Sequence, residues 1–187
     1  MTEPDTPLLS SITSLQDSPV NIRPILEELS QILHADSSWS RADIFRAGEI
    51  LLDRKNASSI KGLWPSPPLM ITATLDDAIG QGLTIIHLFS RLAGVDVKPL
   101  GLLQPPEKII DACRQSLPDM LGMTILQFYS EETLCAMVHN LPPRTRVVVG
   151  GPIFRTLSPQ ELEQKGYLVL NDIRQFMDFL FHYKDTR

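Results

Sequence analysis

The chain has little cysteine, no long apolar run and no excess of positive charge, and each shortage closes a class of function. Cys113 and Cys135 are the only cysteines among 187 residues, and they form no Cys-x-x-Cys pair. That excludes a disulfide scaffold and makes a reducing, intracellular compartment the expectation. No stretch approaches ~18 consecutive apolar residues, so no membrane-spanning helix is read and no membrane partner is expected. Residues 1–19 hold Glu3, Asp5 and Asp17 but no Lys or Arg, which is not the basic start of a secretory signal. They read as a flexible polar leader on a cytoplasmic protein. With 22 acids against 17 bases the net charge is −5 and the pI about 5.3, so the basic footprint of nucleic-acid binding is missing. The four histidines show no metal-ligand spacing, and no Ser–His–Asp or Cys–His set is readable. The expectation is therefore no stand-alone catalytic activity.

What is present is ordinary globular material, 43% hydrophobic and 21% charged. A helix is predicted over Asn21–Ala35, where Ile22, Ile25, Leu26, Leu29, Ile32 and Leu33 recur at helical spacing behind Asn21 and Pro24. A second is predicted from Ser40 to about Lys55, so residues 20–63 read as a helical extension. Trp64-Pro65-Ser66-Pro67-Pro68 breaks any helix and marks a boundary. From 69 to 187 short apolar runs alternate with helical patterns. Strands are predicted at Leu69–Thr74, Val95–Leu103, within Asp119–Phe128, at Val147–Val149 and at Tyr167–Leu170. Between them lie helices over Ile79–Ala93, after Pro105-Pro106, from Ser130 as cap, after the capping box Ser158-Pro159-Gln160-Glu161, and from Asn171 or Asp172. Five βα units in series imply an α/β, flavodoxin-like, doubly wound five-stranded parallel sheet.

Ligands of such sheets bind outside the carboxyl ends of the strands. That places a site on Leu75–Gly80, Phe128–Ser130 and Gly150–Phe154. A phosphoacceptor receiver does not fit, because Leu126, Gln127 and Phe128 stand where its aspartate would end the third strand. Dinucleotide binding does not fit either, since Gly80-Gln81-Gly82 is followed by Ile85 in the third glycine position. The acidic Leu75-Asp76-Asp77 turn would repel a flavin phosphate.

From about Leu69 to Leu180 the chain resembles the cobalamin-binding domains of methionine synthase, corrinoid methyltransfer proteins and cobalamin photoreceptors. Gly80 matches the end of that family's Asp-x-His-x-x-Gly, within Asp77-Ala78-Ile79-Gly80. Thr124-Ile125-Leu126 matches Ser-x-Leu on the third strand, and Gly150-Gly151 matches the Gly-Gly after the fourth. Pro118-Asp119-Met120-Leu121-Gly122-Met123 is similar to the entry into the third strand. The resemblance implies a corrinoid tail slid into the sheet's crevice, with Thr124 bonding a buried base and the glycines admitting a planar group. Asp76, Asp77, Gly80, Thr124, Leu126, Gly150 and Gly151 are the cofactor-binding candidates it assigns, and cobalamin is the expected cofactor. It also implies that helical modules can cap the ligand's upper face, for which two helices look short.

This chain departs from the family at the cobalt ligand. The family histidine falls on Asp77 and its aspartate on Leu75. Three readings stay open: a corrinoid carrier or sensor without a histidine ligand, a haem-binding variant, or a cofactor-free interaction module. The partner in each case is a protein, either a corrinoid-dependent enzyme such as a methyltransferase or a regulator. His87 is the best haem-ligand candidate. His34, His139 and His182 lie near helix ends, where a cation suits the dipole. Asp76-Asp77 also fits a solvated turn, and Phe128-Tyr129 could stack on a planar ligand or simply pack. Both cysteines sit on apolar helix faces and read as core.

Overall fold

Strand and helix follow the period of the apolar residues along the chain. The protein, described here by a computed structural model, is defined over residues 7–12, 19–77, 81–156 and 165–184. Its first helices are α1 (Pro7–Ser10), α2 (Arg23–Ala35) and α3 (Arg41–Ala57). The Asn21 side chain accepts from Arg23 N at 3.0 Å and opens α2. Ser40 and Asp43 form a reciprocal capping box on α3. There follow β1 (Leu69–Ala73), α4 (Gln81–Ala93), β2 (Asp96–Gly101), α5 (Pro106–Ser116), β3 (Met120–Thr124) and α6 (Phe128–Val138). The chain then runs through β4 (Arg146–Gly150), a 3₁₀ helix (Pro152–Thr156), β5 (Leu168–Val169) and α7 (Ile173–His182). The Asp172 carboxylate caps α7 by accepting from Arg174 N and Gln175 N. The capping box expected at Ser158-Pro159-Gln160-Glu161 lies outside the described residues.

The strands pair in the order β2-β1-β3-β4-β5, all parallel. This is the doubly wound, flavodoxin-like arrangement read from the sequence, with its switch point between β1 and β3. Successive side chains on each strand face opposite layers. Met70, Met120 and Val148 enter one apolar cluster with α2, α3, α4 and α7. Ile71, Leu121 and Val147 enter a second with α5 and α6. Burial on both faces explains why the central strands are nearly continuous apolar runs rather than alternating ones.

The helical extension shares the first of those clusters with the sheet. α2 packs on α7, and α3 packs on α4. The proline-rich stretch is itself fastened down: Trp64 Nε1 donates to Tyr183 O at 3.2 Å, and the two rings meet edge-on. The flexible leader is corrected for residues 7–12, where Leu8 and Ile12 are 0% and 3% exposed within the same cluster. Averaged polarity over nineteen residues hid a compact Leu8-Leu9-x-x-Ile12 patch that covers the extension. Ser130 is also corrected. It lies inside the first turn of α6, buried, and Gln127 is the cap residue. The helix begins earlier because a carboxylate, described below, already holds the backbone at 126 and 127.

Leu8→Ala is expected to destabilise the protein by about 2–4 kcal/mol, read as a lower urea midpoint with an unchanged slope. A loss below about 0.5 kcal/mol would mean that the patch adds no core.

Candidate functional site

The parallel sheet leaves a cavity of about 600 Å³ at the carboxyl ends of β3 and β4, on the side covered by α4 and α7. That size suits a small-molecule group. Thr124, Leu126, Gly150 and Gly151, four of the seven candidates read from the sequence, line it. Gly82 and Ile86 of α4 face them, Asn171 and Ile173 close the α7 end, and Leu33, Trp39 and Arg41 of the extension form the outer wall.

Two glycines make this geometry possible. Gly151 has φ +145°, and a Cβ there would stand 1.8 Å from the Ile125 carbonyl oxygen. The turn after β4 therefore admits no side chain, so the fold as well as any ligand requires this glycine. At Gly82 a Cβ would meet Thr124 Oγ1 at 3.1 Å, so α4 approaches β3 just where the hydroxyl stands.

Of the three other candidates, the two described, Asp76 and Asp77, do not line the cavity. Asp76 is 1% exposed, so neither a solvated turn nor a group offered to ligand amides describes it. Its Oδ2 accepts from Leu126 N at 2.8 Å and Gln127 N at 3.2 Å, while Oδ1 is buried without a partner among the described residues. Thr74 extends the clamp: its hydroxyl donates to Asp76 O at 2.9 Å and accepts from Leu103 N at 3.1 Å. One hydrogen-bonded chain thus ties together the loops that follow β1, β2 and β3. Asp77 is exposed, and Gly80 lies outside the described residues. Phe128 and Tyr129, 64% and 62% exposed, project at this same edge rather than pack.

With this geometry in view, residues 69–172 match the B12 binding domain model. The chain belongs to the B12-binding domain family. No curated protein sequence matches it. The fold of this B12-binding domain is shared with solved structures at low identity. A cobalamin-binding protein from Desulfitobacterium hafniense superposes with a TM-score of 0.67 at 16% identity, over 84% of this chain and 81% of that one. The methanol:cobalamin methyltransferase complex from Methanosarcina barkeri gives 0.59 at 15%, over 95% and 73%. The monomethylamine corrinoid protein of the same organism gives 0.52 at 15%, over 92% and 98%.

No described histidine of this B12-binding domain lines the cavity. His87 Nε2 bonds Thr72 Oγ1 at 2.7 Å between α4 and the sheet. His34, His139 and His182 each place Nδ1 within 3.1 Å of the carbonyl four residues earlier, closing the last turns of their helices. Among the described residues no cluster of His, Cys, Asp and Glu could hold a metal ion. Burial pushes the Cys113 thiol up to about 11, leaving it an inert core group. On the sheet's other face Glu131 accepts from Lys165, Tyr167 and Cys135. Burial works to raise its pKa, but these bonds outweigh it and hold the carboxyl below its usual range. This group ties α6 to the start of β5, away from the cavity.

Sequence reasoning missed the wall given by Leu33, Trp39 and Arg41, because nothing local tells that the connector of two helices reaches the sheet's crevice. The single signal was a tryptophan isolated among serines, Ser38-Trp39-Ser40.

Asp76→Ala leaves two backbone N–H groups without acceptors and is expected to cost about 2–3 kcal/mol in a denaturant titration; a neutral substitution would dissolve the clamp. Burial first, and Arg91 second, hold the His87 imidazole below its ordinary value. Its contribution to stability is complete above the unfolded value of ~6.5 and declines as pH falls toward the lowered folded value. Stability between pH 7 and 5 is therefore expected to fall less steeply in His87→Gln than in the parent chain, and an unchanged slope would contradict burial of the ring.

Proposed function

We propose that this chain is a corrinoid carrier or sensor protein that holds cobalamin by its nucleotide tail, without a histidine ligand of its own. The observation that carries this is the cavity itself. It lies where the family pattern puts the tail, with Thr124 and the Gly150-Gly151 turn on its wall. The residues present fit such a group. The walls offer apolar surface from Leu126, Ile86 and Ile173 beside the Thr124 hydroxyl. At position 77 the exposed Asp77 carboxylate stands where the family places imidazole. The chain's contribution is then to grip the tail and orient the macrocycle at the clamped loop edge, not to coordinate its metal.

Bound cobalamin would supply an organometallic centre able to take and release a small group. Delivery to a substrate needs a second protein, and a corrinoid-dependent enzyme or a regulator is the class of partner proposed. Phe128 and Tyr129 support a contact at that edge, because large exposed aromatics there suit either a planar ligand or a partner surface. No helix of the structure is long and apolar enough to cross a membrane among the described residues, and a cytoplasmic location completes the proposal.

The test is titration with hydroxocobalamin, methylcobalamin and haemin, followed by visible spectrum and thermal melting. Saturable corrinoid binding with a raised melting temperature is expected, with a spectrum identical in His87→Gln. Failure of both corrinoids would reduce the family membership to shared fold. Haemin binding lost in His87→Gln would replace the corrinoid by haem.

A further inference from the structure

Two apolar patches stand at opposite edges of the sheet on its α5–α6 side, outside both core clusters and outside the cavity. At the carboxyl edge Leu102 and Leu103 follow β2, and Phe128 and Tyr129 open α6, all four exposed. The loops that carry them flank the turn after β1 and are tied to it through Thr74 and Asp76. At the amino edge Leu117 follows α5. It lines a shallow groove of about 400 Å³ with Arg114, His139, Leu141, Pro142 and Pro143.

Each patch holds a leucine in the left-handed region, Leu103 at φ +52° and Leu117 at φ +47°. A β-carbon crowds the backbone there, and helix ends that need this conformation usually take glycine. Leu103 is 59% and Leu117 51% exposed, so burial within the chain does not offset the strain. A strained, exposed leucine at each edge points to burial against something outside the chain.

The rims carry opposite charge. Around the carboxyl patch Asp77, Glu107 and Glu132 are exposed against one cation, Lys108. At the groove Arg114 and Arg144 are exposed, while Asp119 is buried and bound to Arg144. The exposed Asp96 begins β2, two strands away from β3. Acids at helix starts and cations at helix ends also suit the macrodipoles, but no dipole accounts for the leucines. Pairing like edges would press acid on acid, whereas unlike edges attract. Either patch covers on the order of a few hundred Å², below the ~800 Å² per partner of a stable interface, so the contact is weak and reversible.

We propose that the occupant of these patches is a second copy of this chain, docked head to tail. The Leu103 and Phe128 edge of one copy seats in the Leu117 groove of the next. Such a contact has no two-fold axis, so repetition gives short open chains of copies at high concentration. The inference concerns the chain without cofactor and does not depend on the corrinoid reading.

The test is sedimentation velocity of the full chain without corrinoid, at about 10 µM and about 500 µM and at two salt concentrations. The weight-average mass is expected to rise above the 21.0 kDa of one chain at the higher concentration, and added salt should lower it again. Leu103→Gly and Leu117→Gly should each weaken association about tenfold or more. Both should melt close to the parent chain, because glycine's left-handed freedom offsets its entropy. Mixed in equal amounts, the two variants should form one-to-one pairs that do not grow, since each keeps the edge the other has lost. Glu132→Lys and Arg114→Glu, exposed charge reversals on the two rims, repeat the experiment should either glycine variant fail to fold. A parent chain that remains at 21.0 kDa up to about 1 mM overturns the inference. So do variants that fail to pair when mixed, and so does association lost in one glycine variant but intact in the other, which would mean that like edges pair.

Discussion

A buried carboxylate holds the business edge of the sheet together. In a parallel sheet every strand delivers its following loop to the same edge, and those loops have no ladder of their own to fix them. Here Asp76 and Thr74 provide one, joining the loops after β1, β2 and β3 through side chain-to-backbone bonds. The start of α6 follows from that tie, and so does the outward placement of Phe128 and Tyr129. The rigid floor beside the cavity depends on it as well. A carboxylate spent in this way is a positioning group, and the apolar layers on both faces keep it dry.

Much of the fold was legible because its signals are local. Ser40 with Asp43, Asp172 and Asn21 announce helix starts within three residues of themselves. The apolar runs at 69, 120 and 147 announce buried parallel strands by their lack of alternation. Of the candidate site, Thr124, Leu126, Gly150 and Gly151 were found by their order along a known topology, and the structure brings them to one cavity. The misreadings share a physical origin. Asp76 looks like a surface acid until β3 is laid beside β1, and Leu8 looks like leader until α3 is folded beneath it. Trp39 and Arg41 belong to the cavity only through the docking of two helices on the far side of α4 and α7. Contacts between segments distant in sequence leave no period to read.

The extension and the sheet therefore act together. The family segment supplies the crevice, the glycine turn and the hydroxyl, and residues of the extension before it form the outer wall. Under the proposed corrinoid reading, a chain with Asp77 at the histidine position of the family pattern holds the cofactor by enclosing its tail. In that proposal affinity comes from apolar contact in the crevice and a hydrogen bond to Thr124.

The most direct measurement is a crystal structure of the chain grown with hydroxocobalamin. Tail density between β3, β4 and the α2–α3 connector, within hydrogen-bond distance of Thr124, with no histidine of the chain on cobalt, is the result expected. A corrinoid bound with its tail outside that cavity, or held through a histidine, would contradict it.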